Sequence, residues 1–153
     1  MSNVLRRTVL ASLLAAALAV VPAWAPAQGT ALLTVHDAWI RKPPPGLETA
    51  AVYFTLENKR SREVFILGVT SPLATSAMIH ETSMVEGQSR MRMRDRVTVS
   101  ARSKVAFAPE GLHVMLSGLS KPLEVGDKVP LTLQLDQGGS VDFVATVRPL
   151  GAK

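Results

Sequence analysis

The residues able to do chemistry are concentrated between His80 and Met115. Two of the three histidines (His80 and His113) and four of the six methionines (Met84, Met91, Met93 and Met115) fall there, and the chain has no cysteine. Imidazole with thioether and without thiol is a soft donor set that suits copper, above all Cu(I). His113-Val114-Met115 carries the sharpest spacing: on a strand, residues two apart share a face, so an imidazole and a thioether stand side by side. His80 ends a second apolar segment, and Met91 and Met93 share one face of a third. Two histidines and two methionines gathered at one rim would hold Cu(I), and thioethers keep their chemistry in an oxidising compartment that draws thiols into disulfides. The competing readings are plain ones. Methionine on a strand is usually core filler, and an isolated His-x-Met arises by chance. Met78 has the parity of His80 but is expected in the core. Met84 is at most an auxiliary donor. His36, without a ligand partner in the sequence, is expected to be structural.

Other chemistries find no support. There is no G-x-S-x-G, no P-loop and no paired-carboxylate spacing, and Glu81 and Glu110 do not form a hydrolytic couple, so no enzyme is expected. The absence of cysteine excludes zinc fingers, iron–sulfur clusters and blue copper. Lys and Arg number 17 against 12 Asp and Glu; without Arg6 and Arg7 the excess falls to +3. That bias is too small to argue for nucleic acid or an anionic membrane. Aromatics make up 5% of the chain, too few for a base-stacking surface.

The elements that must position the donors read as strands. Ala31–Arg41 alternates imperfectly; Lys42-Pro43-Pro44-Pro45-Gly46 then breaks the chain. Ala50–Leu56 is a buried strand, Glu63–Thr70 the next, and Ala77–Glu81 a short one leading into His80. In Arg90-Met91-Arg92-Met93-Arg94-Asp95-Arg96 the arginines share one face and the methionines the other, with Val97–Ser100 as a continuation. The arginine row is expected to be a solvated face, with docking of an acidic partner as the alternative. Lys104–Ala108 and Leu112–Leu116 flank the Pro109-Glu110-Gly111 turn, and Val129–Leu135 and Val141–Arg148 complete the set. Eight or so short strands with frequent turns and no amphipathic helix predict an all-β, antiparallel Greek-key sandwich or barrel.

Residues 1–27 read as a secretory signal peptide. Arg6 and Arg7 precede a short apolar run, and Ala25-Pro26-Ala27 offers an A-x-A cleavage site. The run is too short to cross a bilayer comfortably, which takes about 20 apolar residues. No stable membrane insertion is expected after cleavage, nor, without cysteine, a lipid anchor. A single domain over 28–153, with its core at about 32–148, and a periplasmic location are the corresponding expectations.

The donor spacing resembles that of the periplasmic copper chaperones of the PCuAC family. Their signature is His, ten residues, Met, twenty-one residues, His, one residue, Met; here His80, Met91, His113 and Met115 match it in full. Asp37-Ala38-Trp39-Ile40-Arg41, Ala51–Asn58 and Gly111–Leu119 also resemble family segments, so the similarity spans about 32–148. It implies a cupredoxin-like fold binding one Cu(I) through His80, Met91, His113 and Met115. It further implies delivery of copper toward the cytochrome c oxidase copper centre, through transient contact with an oxidase subunit or a Sco-type protein. A periplasmic copper buffer, or an interaction module with incidental His and Met, are the alternatives. The chain departs from the family in carrying Thr82 where a methionine is common, and in a longer loop before Met91. Aligned by its Met-Arg-Met pattern instead of by counting, the family places Met93 in the position of Met91.

Overall fold

The computed structural model describes residues 32–151. The signal peptide expected over residues 1–27 lies outside them. The strands are β1 (Leu33–Arg41), β2 (Thr49–Asn58), β3 (Val64–Thr70), β4 (Ala74–Val85), β5 (Gln88–Met93), β6 (Val97–Val99), β7 (Ser103–Phe107), β8 (Leu112–Leu119), β9 (Lys128–Leu135) and β10 (Ser140–Arg148). They form one hydrogen-bonded sheet in the order β5-β4-β8-β2-β1-β10-β9-β3-β6, with β7 also paired to β2. The pairings are antiparallel except for β1 with β10.

Strand β2 makes the sheet roll. Its first half, Thr49–Val52, pairs with Ser117–Val114 of β8, and its second half, Phe54–Asn58, pairs with Phe107–Ser103 of β7. A strand shared between two neighbours has to turn from one layer into the other. Strand β3 then packs against β4, and β6 approaches β2 and β7. The result is the expected all-β sandwich. Its core is aliphatic: Val52, Leu56, Val114 and Leu116 from one side, Ile66, Val99, Val129, Leu131 and Leu133 from the other. The stacked pair Phe54 and Phe107, with ring centroids 4.2 Å apart, closes the seam between β2 and β7.

The imperfect alternation of β1 has a local cause. Its register on β2 shifts between His36 and Trp39, and Asp37 lies at φ 52°. A bulge of this kind inserts a residue and flips side-chain parity. Leu33 and Ile40, an odd number of positions apart, are therefore both buried. The Nε2 of His36, expected to be structural, lies 2.9 Å from the Glu57 carboxylate. Asn58, fully buried at the end of β2, donates to the carbonyl oxygens of Arg62, Val99 and Ser100 and accepts from the Arg60 N–H. It ties the β2–β3 turn to the end of β6.

Three sequence-based expectations change. Ten strands among the described residues replace eight or so. β4 runs over Ala74–Val85, well beyond Ala77–Glu81. Val97–Val99 does not continue β5: the chain turns after Met93, and β6 pairs with β3 at the opposite edge of the sheet.

Candidate metal centre

Strand β8 presents its two faces as the sequence implies. Val114 and Leu116 are fully buried in the core, so His113 and Met115 lie on the other face. The pairing of β4 with β8 puts His80 opposite His113 and Met78 opposite Met115. The pairing of β4 with β5 puts Met93 opposite His80, Met91 opposite Thr82 and Ser89 opposite Met84. One rung across three strands is thus Met93–His80–His113, and the next holds Met78 and Met115. Cross-strand neighbours on one face have Cβ atoms about 5 Å apart, within contact reach of long side chains.

The imidazoles of His80 and His113 stand edge to face with centroids 5.9 Å apart. With a metal–nitrogen bond of about 2 Å, that separation suits a single ion held between them. His113 is 4% exposed. Its Nδ1 lies 3.0 Å from the Gly111 carbonyl oxygen, which also accepts the Thr82 N–H of β4. Donation from Nδ1–H to that carbonyl fixes the tautomer and leaves Nε2 as the lone pair for a metal. The turn that places Gly111 depends on Glu110 at φ 66°. On the far side Tyr53 lies against His113 at 6.4 Å, backed by Trp39 at 4.6 Å. His113 is therefore held by a hydrogen bond on one side and rings on the other.

His80 is set differently. Its Nδ1 is buried without a hydrogen-bond partner. A buried imidazole nitrogen left unpaired is a site a metal ion would satisfy. Burial, and secondarily the neighbouring His113, hold its pKa below the ordinary imidazole value. Both effects favour the neutral, ligating form.

The thioethers of the β4–β5 hairpin are exposed, whereas Met115 on β8 is part-buried. Met93 is 59% exposed, Met91 53% and Met84 68%, because β5 is an edge strand and its hairpin with β4 projects from the sandwich. Met93 directly faces His80, Met91 sits one rung away, and Met84 sits two rungs away. Met78, expected in the core, is instead 37% exposed on the face of His80. The sequence carried its parity, but not the fact that this end of β4 is open to solvent. Among the described residues no group of three or more His, Cys, Asp or Glu converges. The side chains beside the histidine pair on this face are thioethers, Met93 on β5 and Met78 and Met115 one rung along.

The arginine row is broken by the end of β5. Arg90 and Arg92 are exposed on the face away from the methionines, as expected. Arg94 instead pairs with Glu81, its Nε 2.8 Å from the carboxylate, and Arg96 lies over the Phe65 ring at 4.6 Å. The Glu81–Arg94 pair and the Arg94 N–H to Ile79 carbonyl bond pin the end of β5 beside His80.

Among solved structures, the fold is that of PCuAC domains. A copper-bound PCuAC domain from PmoF2 is 27% identical with a TM-score of 0.65, over 77% of this chain and 93% of that one. The Cu(I) form of DR1885 from Deinococcus radiodurans is 35% identical with a TM-score of 0.63, over 80% and 81% of the two chains. The sandwich is cupredoxin-like, as expected. The sequence profile of the LpqE-like family, described as lipoproteins, matches residues 33–147, and the chain belongs to that family. Lxx21020 of Leifsonia xyli subsp. xyli (strain CTCB07), which bears a lipoprotein name, is 31% identical over 115 residues, 74% of this chain and 68% of that one. RP573 of Rickettsia prowazekii (strain Madrid E) is 29% identical over 91 residues, and there the chain spans half of the relative.

Proposed function

We propose that the chain is an exported, non-enzymatic Cu(I) carrier that works in the periplasm. It holds one ion through His80, His113, Met115 and a methionine of β5, and passes it toward assembly of the cytochrome c oxidase copper centre. The observation that carries this reading is the rung Met93–His80–His113 with Met115 beside it. It gathers two imidazoles and two thioethers on one rim, the donor mixture Cu(I) prefers. Register favours Met93 over Met91 as the β5 donor. The copper-bound relatives of the same fold support the choice of metal.

The site is built for exchange. Its nitrogen donors are recessed and Met115 stands on the interior strand β8, while its β5 methionine sits on an exposed edge hairpin. An incoming protein can replace Met93 first and take the ion while His113 still holds it. Because thioether and neutral imidazole carry no charge, the exchange requires neither proton nor electron. Export rests on the signal peptide expected over residues 1–27, and delivery to oxidase on the resemblance. The test is anaerobic titration of the purified protein with Cu(I) against a chromophoric chelator, together with oxidase activity in a deletion strain grown on scarce copper. One tight equivalent and reduced oxidase activity are expected. A protein that never outcompetes the chelator would overturn copper binding, and unchanged oxidase activity would overturn delivery.

A further inference from the structure

We infer that Met78, Met93 and Met115 form a second, all-thioether position for Cu(I) that overlaps the first. This rests on the carrier reading and extends it to the ion's path. Met78 lies outside the His80-to-Met115 spacing and was expected in the core. It is instead part-exposed on the face of His80, and its Cα partner on β8 is Met115. Its neighbour Ile79 supplies the core contact of this stretch, at 3% exposure. On the other side Met78 and Met93 line one cavity of about 140 Å³, together with Leu67 and Asp95. Met93 faces His80 and so sits diagonally from Met78, a separation of about 7–8 Å between Cα atoms that two long side chains close.

Met78 is therefore flanked by a thioether on each side. Met78, Met93 and Met115 offer three flexible, uncharged sulfur donors on one face, a set that suits a soft d10 ion, and the Asp95 carboxylate lines the cavity beside Met78 and Met93. The two positions share Met93 and Met115. Moving from one to the other replaces the imidazoles with the Met78 sulfur and shifts the ion along β4 toward the cavity. The lone pairs of His80 and His113 are then free, so copper can be offered to a partner from sulfur alone or drawn back onto nitrogen.

The experiment is NMR of the purified full-length protein labelled with [methyl-13C]methionine and titrated anaerobically with Cu(I). Signals are assigned by Met→Leu substitution, and Met78 by elimination if Met78→Leu does not fold. The Met78, Met93 and Met115 methyls are expected to shift together, while Met84 stays in place. In His80→Ala the Met78 shift is expected to persist. A Met115 shift with Met78 unmoved overturns the second position and leaves the carrier reading intact. No methyl shift and no retained copper overturns the carrier reading itself.

Discussion

At the scale of single residues, the two histidines divide the work. His113 is fixed by the Gly111 carbonyl and the Tyr53 ring, and His80 keeps an unsatisfied nitrogen and a lowered pKa. Imidazole binds copper only when neutral, so a lowered pKa carries His80 ligation further into acid. The affinity lost on His80→Ala, measured by chelator competition, should stay constant from pH 8 to below about 6.5, the free imidazole value. A contribution that vanishes at or above that pH would contradict the burial argument. The choice between Met91 and Met93 belongs to the same scale. Spacing alone points to Met91, whereas cross-strand register puts Met93 opposite His80. Loss of an outer-shell partner already costs metal sites about tenfold or more. Met93→Ala should therefore weaken Cu(I) binding by at least about tenfold, and Met91→Ala by clearly less; the reverse order would return the position to Met91.

At the scale of elements, the strands' existence was legible from alternation and turn residues, and their partners were not. The face shared by His113 and Met115 was legible because Leu112, Val114 and Leu116 alternate with them. That β8 lies between β4 and β2, and that β5 hangs on β4 while β6 crosses to β3, depends on long-range pairing that leaves no trace in local spacing. For the same reason parity identified the face of Met78 but not its exposure, and the β1 bulge appeared only as broken alternation. The β4–β5 turn carries Glu86 at φ 51° and Gly87 at φ 76°, the left-handed pair that two-residue hairpins favour. Asn tolerates that conformation better than Glu. Glu86→Asn should stabilise the hairpin by about 0.5–1 kcal/mol, seen as slower amide exchange across β5. Faster exchange would show that the turn does not limit the hairpin. Asn58→Ala strands buried carbonyl groups at the β2–β6 junction. It should cost about 2–3 kcal/mol in denaturant unfolding, with Cu(I) affinity unchanged because the rim lies on other strands.

At the scale of the whole molecule, the sandwich separates stability from exchange. An aliphatic core from all parts of the rolled sheet fixes β4 and β8, and through them the histidines. The β5 methionine rides on the edge hairpin, where solvent and a partner can reach it, while Met115 stays on β8 inside the sheet. Among the described residues no helix is long and apolar enough to cross a membrane. The central claim is that His80, His113 and Met115 of the sandwich and a methionine of its edge strand β5 meet on one Cu(I). Copper K-edge X-ray absorption of the protein loaded with one equivalent tests it most directly. A shell mixing imidazole nitrogen with two thioether sulfurs is the expected result, with the nitrogen component reduced in His113→Ala. A shell of nitrogen and oxygen alone, unchanged by that substitution, would contradict it.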